Sequence, residues 1–155
     1  PHFIWKNICG SEWLIQIRIA YNLIRSAQLR AKEGHPSDIV ILVPNKNYGA
    51  TAIKSFEDDG IEANHVFEDD LERRSHRNKK AFWLGDSRLK MCTYHSFKGW
   101  ESRHVILLIP EKWDFASLDS LVYTAITRTR ENIIVLNCNN KYVDFGENYP
   151  SDWED

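Results

Sequence analysis

The chain has 155 residues, 43% hydrophobic and 27% charged, with a formal net charge of −2. That composition suits one packed domain and excludes wholesale disorder. At this charge, global attraction to phosphate cannot support nucleic-acid binding, so any such binding needs a local site. No apolar run approaches the roughly 18 residues of a membrane span, and no charged-then-apolar leader pattern opens the sequence. Cys9, Cys92 and Cys138 are odd in number and scattered, which favours a reducing, cytoplasmic setting over a disulfide framework.

In chain order, Phe3-Ile4-Trp5 reads as an edge strand. Ser11 is placed to cap a helix carrying Trp13, Leu14, Ile17, Ala20, Tyr21, Ile24 and Ala27 at helical spacing, with Gly34 and Pro36 as its stop. Residues 38–43 form a continuous apolar run, the pattern of a strand buried on both faces. Pro44 and Asn45 end it, a helix follows over 47–59, Gly60 terminates that helix, and 61–67 is a second strand. Residues 68–80 carry four acids and then five bases. A solvated surface segment accounts for such a charge block more readily than a phosphate-contacting loop. Strands are expected near 88–94 and 105–109, a helix over 118–130, and a strand at Ile133-Ile134-Val135-Leu136. This alternation predicts an α/β three-layer sandwich with a mainly parallel sheet, its core about 36–138, with 68–87 a short linker and 141–155 an unassigned tail.

A phosphate-cradling G-x-x-x-x-G-K-[ST] loop requires a Gly-Lys pair. None of the seven glycines is followed by lysine, and G-x-G-x-x-G is absent. Two other segments carry chemistry. In Thr93-Tyr94-His95-Ser96-Phe97-Lys98-Gly99-Trp100-Glu101, Thr93, His95 and Ser96 offer hydrogen bonds of the kind that position a phosphodiester backbone. Lys98 is a point charge, Gly99 permits close backbone approach, and Glu101 can accept from ribose hydroxyls. In the second segment, Leu118, Leu121, Val122, Ala125 and Ile126 form one buried helical stripe with Arg128 at its margin. A guanidinium there can pack its stem on the sheet and point its head into a crevice, although an arginine at a helix C-terminus also suits the helix dipole. Cys92 and His95 have C-x-x-H spacing, but no second close Cys/His pair completes a zinc site, and a Cys on an apolar strand reads as core.

Taken together and in this order, the segments 93–101 and 121–130 resemble the late motifs of the UvrD/Rep-like superfamily 1 DNA helicases. Those read approximately T-x-H-x-x-K-G-L-E, then an apolar strand, then Y-V-A-x-T-R-A. Thr93, His95, Lys98, Gly99, Glu101, Tyr123, Ala125, Thr127 and Arg128 match, and Ile39-Val40-Ile41-Leu42-Val43-Pro44-Asn45 resembles the strand that opens this region. Trp100 stands where leucine is usual, Phe97 where a small residue is usual, and Thr129 where alanine is common.

The resemblance implies the second RecA-like domain of such a motor, with the phosphate loop and the acidic Mg²⁺ pair on an N-terminal RecA-like partner. It makes Arg128 the arginine finger and gives Gly99, Glu101 and Arg128 to ATP. It assigns Thr93, His95, Ser96 and Lys98 to single-stranded DNA, and places the work in DNA repair or recombination. ATP hydrolysis and Mg²⁺ then belong to the two-domain protein, and the chain alone is expected to be inactive. The family's accessory subdomain has no room between the strands near 67 and 90. The Asn-Tyr-Arg-Ser stretch that opens the family's second domain is missing, so the sequence is expected to be part of a longer protein. The rival reading is a degenerate stand-alone RecA-like module that binds without ATP turnover.

Overall fold

Runs of β-branched and aliphatic residues build the strands, and the most continuous of them lies in the middle of the sheet. The computed structural model describes residues 2–66, 87–113 and 117–148; the charge block at 68–80 and the end of the tail lie outside them. The strands are β1 (His2–Asn7), β2 (Ile39–Val43), β3 (Ala63–Val66), β4 (Leu89–Thr93), β5 (Ser102–Ile109) and β6 (Thr129–Asn137). They form one six-stranded sheet in the order β1-β6-β5-β2-β4-β3. Every neighbouring pair is parallel. All five residues of β2 are buried, as a central strand covered on both faces requires.

Helices α1 (Trp13–Ala31), α2 (Lys46–Asp58), α3 (Tyr94–Phe97), α4 (Leu118–Thr127) and α5 (Val143–Asn148) complete the fold. Alternation along the strands divides the core in two. Ile39, Ile41 and Val43 face Ile17 and Ile24 of α1 and Phe56 of α2. Val40 and Leu42 face Phe97 of α3 and Val122 of α4. The result is an α/β sandwich of three layers. Crossovers of one handedness explain the division: α1 and α2 carry the chain one way along the sheet, α3 and α4 carry it back on the other face.

Several local expectations are adjusted. Ser11 lies in a 3-10 turn, Gly10–Glu12, and makes no cap; α1 begins at Trp13. That helix stops before Gly34, because Lys32 adopts φ 52° and its amide closes onto the carbonyls of Gln28 and Leu29. Ala27 is exposed and Gln28 buried instead. The Gln28 amide donates to the His35 carbonyl at 3.1 Å and accepts from Arg25 at 2.6 Å. Asn45 ends β2 and also caps α2, accepting from the amides of Asn47 and Tyr48. Helix α4 ends at Thr127 rather than 130; Thr129 donates its hydroxyl to the Ala125 carbonyl at 2.8 Å, and β6 begins there.

Strand β1 is an edge strand as expected, whereas β6 lies inside the sheet between β1 and β5. The core also reaches beyond 36–138 to include β1 and α1, since Ile17 and Trp5 are both buried. Part of the unassigned tail folds as α5, whose Phe145 ring lies 4.6 Å from that of Trp5. No helix among the described residues is long and apolar enough to cross a membrane.

Candidate functional site

Thr93 ends β4 at the carboxyl edge of the sheet, and the chain returns through α3 to the amino edge, where β5 begins at Ser102. Tyr94 and Phe97 are the anchors of this return. Both are buried, and the Tyr94 hydroxyl donates to the Leu108 carbonyl. Between them His95 projects outward and Ser96 inward; Lys98 is exposed. The Thr93 hydroxyl donates to Ser96 Oγ at 3.3 Å, so Ser96 is committed to holding the turn. Of the four residues assigned to single-stranded DNA, His95 and Lys98 are surface groups, Thr93 is half-buried and Ser96 is buried.

At the amino edge, Gly99 adopts φ 90°, a conformation that favours glycine. The amides of Lys98 and Trp100 close back onto the carbonyls of His95 and Phe97 at 3.3 and 3.0 Å. This turn delivers Glu101 beside the end of α4. The Ser102 amide donates to the Arg128 carbonyl at 3.1 Å, and the Arg128 amide to Thr124 at 3.0 Å. The two motif segments are thereby strapped together through their backbones. Gly99, Glu101 and Arg128 share this edge, whereas Thr93 and Ser96 stand at the carboxyl end of β4.

The Glu101 carboxylate lies between two arginines. Its Oε2 accepts from Nε and Nη2 of Arg130 at 2.8 and 2.5 Å. Its Oε1 is 4.0 Å from Nη1 of Arg128, beyond hydrogen-bond reach. The register explains why Arg130 arrives there: Ser102 pairs with Thr129 but His104 with Asn132, so β6 carries one extra residue. A bulge of this kind re-aims the side chains at it. Glu131, also within the bulge, binds Arg103 at 2.5 Å, and Arg103 reaches Glu33 at 3.0 Å. Donating these hydrogen bonds to Glu131 and Glu33 raises the Arg103 pKa further above its ordinary value.

A cleft of about 680 Å³ opens at this edge, with Lys90, Gly99, Trp100, Glu101, Arg103 and Arg130 among its walls. General experience with open parallel sheets points to the carboxyl edge. Among the described residues, that edge has a depression of about 250 Å³ lined by Trp13, Asn47, Tyr48 and Thr51. At the amino edge, Asp38 and Glu131 also line the cleft, so it carries groups of both signs.

Beneath the cleft, His104 is 4% exposed and burial lowers its pKa. Asn132 accepts the His2 amide on Oδ1 at 2.8 Å and lies 3.0 Å from His104 Nδ1 through Nδ2. The Asn132 amide therefore donates, and the imidazole is neutral with Nδ1 as acceptor. Cys92 is fully buried and burial pushes its thiol up, whereas His95 of the C-x-x-H spacing faces outward.

Sequence reasoning missed Arg130, Arg103 and Lys90. Extending the helix to 130 concealed Arg130; a strand beginning at Thr129 puts Arg130 on β6, beside the turn that carries Glu101 into β5. No protein-family model matches the chain, and no curated protein matches it.

Proposed function

We propose that the chain is the second motor domain of an ATP-dependent DNA helicase or translocase of the UvrD/Rep-like type, working against an N-terminal RecA-like domain that carries the phosphate loop and the Mg²⁺ ligands. One observation carries this reading: Gly99, Glu101 and Arg128, drawn from segments far apart in sequence, line one edge and are strapped by the Ser102–Arg128 hydrogen bond. The α/β sandwich supplies the frame for it.

In this reading ATP lies between the two domains with its sugar toward Glu101. Arg128, with 46% of its side chain exposed, extends toward the γ-phosphate. A guanidinium placed at developing phosphoryl charge contributes about 10³–10⁵ in rate. His95 and Lys98 meet the phosphodiester backbone of a single strand, while Thr93 and Ser96 hold the turn that presents them. Closure and opening of the domains through the nucleotide cycle then move the strand.

The test is a titration of the chain with Mg·ATP, followed residue by residue in amide NMR spectra. Shifts at 99–102 and 128–130 with weak affinity and no turnover are expected, because one wall of the site is present. Turnover by the chain alone overturns the half-site reading. Binding of single strands with no ATP response marks the degenerate, non-hydrolysing module instead. In a two-domain assembly with measurable ATPase activity, an unchanged rate for Arg128→Ala removes the finger assignment.

A further inference from the structure

Arg130 is not among the residues that match either motif, yet it makes the closest contacts to Glu101 at the cleft. Its Nε and Nη2 both bind Oε2, at 2.8 and 2.5 Å, leaving Oε1 without a contact from this fork. Two N–H groups on one oxygen orient the carboxylate in a way a single point charge cannot. The Glu101 side chain is 44% exposed, so without a partner it would sample several rotamers and lose that freedom on binding a ligand. Among the described residues, the other cation paired with Glu101 is Arg128, 4.0 Å from Oε1. An unheld carboxylate would close that gap, occupying both the sugar acceptor and the cation meant for phosphate.

We propose that Arg130 is a positioning residue that makes binding depend on the nucleotide's sugar hydroxyls. By holding Oε2 it presents Oε1 as the acceptor for sugar hydroxyls and keeps Glu101 off Arg128. The β6 bulge is the device that aims it. The proposal rests on the nucleotide reading above and adds a residue and a substrate preference to it. An ordinary surface ion pair would be indifferent to the ligand's sugar, and this is the property to measure.

The experiment compares Mg·ATP with Mg·2′,3′-dideoxyATP on the wild-type chain and on Glu101→Gln, Arg130→Ala and Arg130→Lys. Arg130 is 70% exposed, so its replacement leaves the core untouched. The wild type is expected to prefer ATP about tenfold, the worth of a hydrogen bond to a charged acceptor. Glu101→Gln largely removes the preference. Arg130→Ala reduces it to about twofold with little change for the dideoxy ligand, and Arg130→Lys restores part of it, because charge returns without the fork. If Arg130→Ala keeps the full preference while Glu101→Gln loses it, the nucleotide reading stands and the proposal falls. Equal weakening of both ligands in Arg130→Ala makes Arg130 a phosphate contact and also overturns it, as does a gain in preference. Failure of the wild type to bind either ligand defeats the nucleotide reading itself.

Discussion

Replacing Gly99 by alanine strains the backbone at φ 90°, yet a Cβ there meets nothing within 4 Å. Gly34 has nearly the same φ, 92°, but its Cβ would lie 2.8 Å from Gln28 Nε2 and 3.1 Å from Gln28 Cδ and Cγ. The left-handed conformation costs an L-residue about 1–2 kcal/mol. Alanine recovers about 0.4–1 kcal/mol by narrowing the unfolded ensemble. Gly99→Ala should therefore lose about 0.5–1 kcal/mol net. Gly34→Ala must also displace Gln28, which is 6% exposed and bonded to Arg25 and His35. One lost hydrogen bond adds about 0.5–1.5 kcal/mol, bringing the total to about 1–2.5 kcal/mol. Urea titrations read both values as shifts in midpoint at constant slope. Equal losses would refute the assigned role of Gln28, and a stabilising Gly99→Ala would refute the strained turn that delivers Glu101.

Three further outcomes follow from the same geometry. His104 is held neutral chiefly by burial, with Glu131, Arg103 and Asp38 nearby. The unfolded chain therefore binds a proton that the folded chain resists, and stability should fall as pH drops below the ordinary imidazole value near 6.5. His104→Asn should flatten that slope in urea midpoints measured between about pH 5 and 8, and an unchanged slope assigns it to other groups. Gly146→Ala would place a Cβ 2.5 Å from the Asn7 amide atoms. That forces Asn7 off Asn137 and the Val143 carbonyl, at a cost of roughly 1–3 kcal/mol. An unchanged denaturation midpoint would deny that α5 is locked to the sheet. Cys9 is exposed, Cys138 is partly buried with its thiol pushed up to about 11, and Cys92 is buried. A thiol reagent should label Cys9 first, Cys138 slowly, and Cys92 only on unfolding; early labelling of Cys92 would contradict the placement of β4.

The strands were readable because their signal is local. A run such as Ile39–Val43, buried at every position, has no other stable use in a chain of this size than a central strand. The α4 stripe was readable for the same reason, with Leu118, Val122 and Ala125 buried as its spacing requires. Helix ends were less legible. Lys32, a residue with no special liking for φ 52°, closes α1, and Thr129 closes α4 with its hydroxyl. Both depend on what the next segment packs against.

For the site, the resemblance grouped Gly99, Glu101 and Arg128, and those three share an edge. What it could not supply was Arg130, because its contact to Glu101 depends on one extra residue in β6 relative to β5. Nor could it separate Ser96, turned inward to Thr93, from His95, turned outward.

By itself, then, the sequence determined the six strands, helices α1, α2 and α4 and their alternation, since hydrophobic period and residue type are properties of short stretches, whereas α3 and α5 were not legible in it. The tertiary structure alone decided that β6 lies between β1 and β5, that a cleft opens at the amino edge, and that Glu101 is held by Arg130. Those facts arise from register, crossover direction and packing between segments distant in the chain, where a shift of one residue changes which side chains meet.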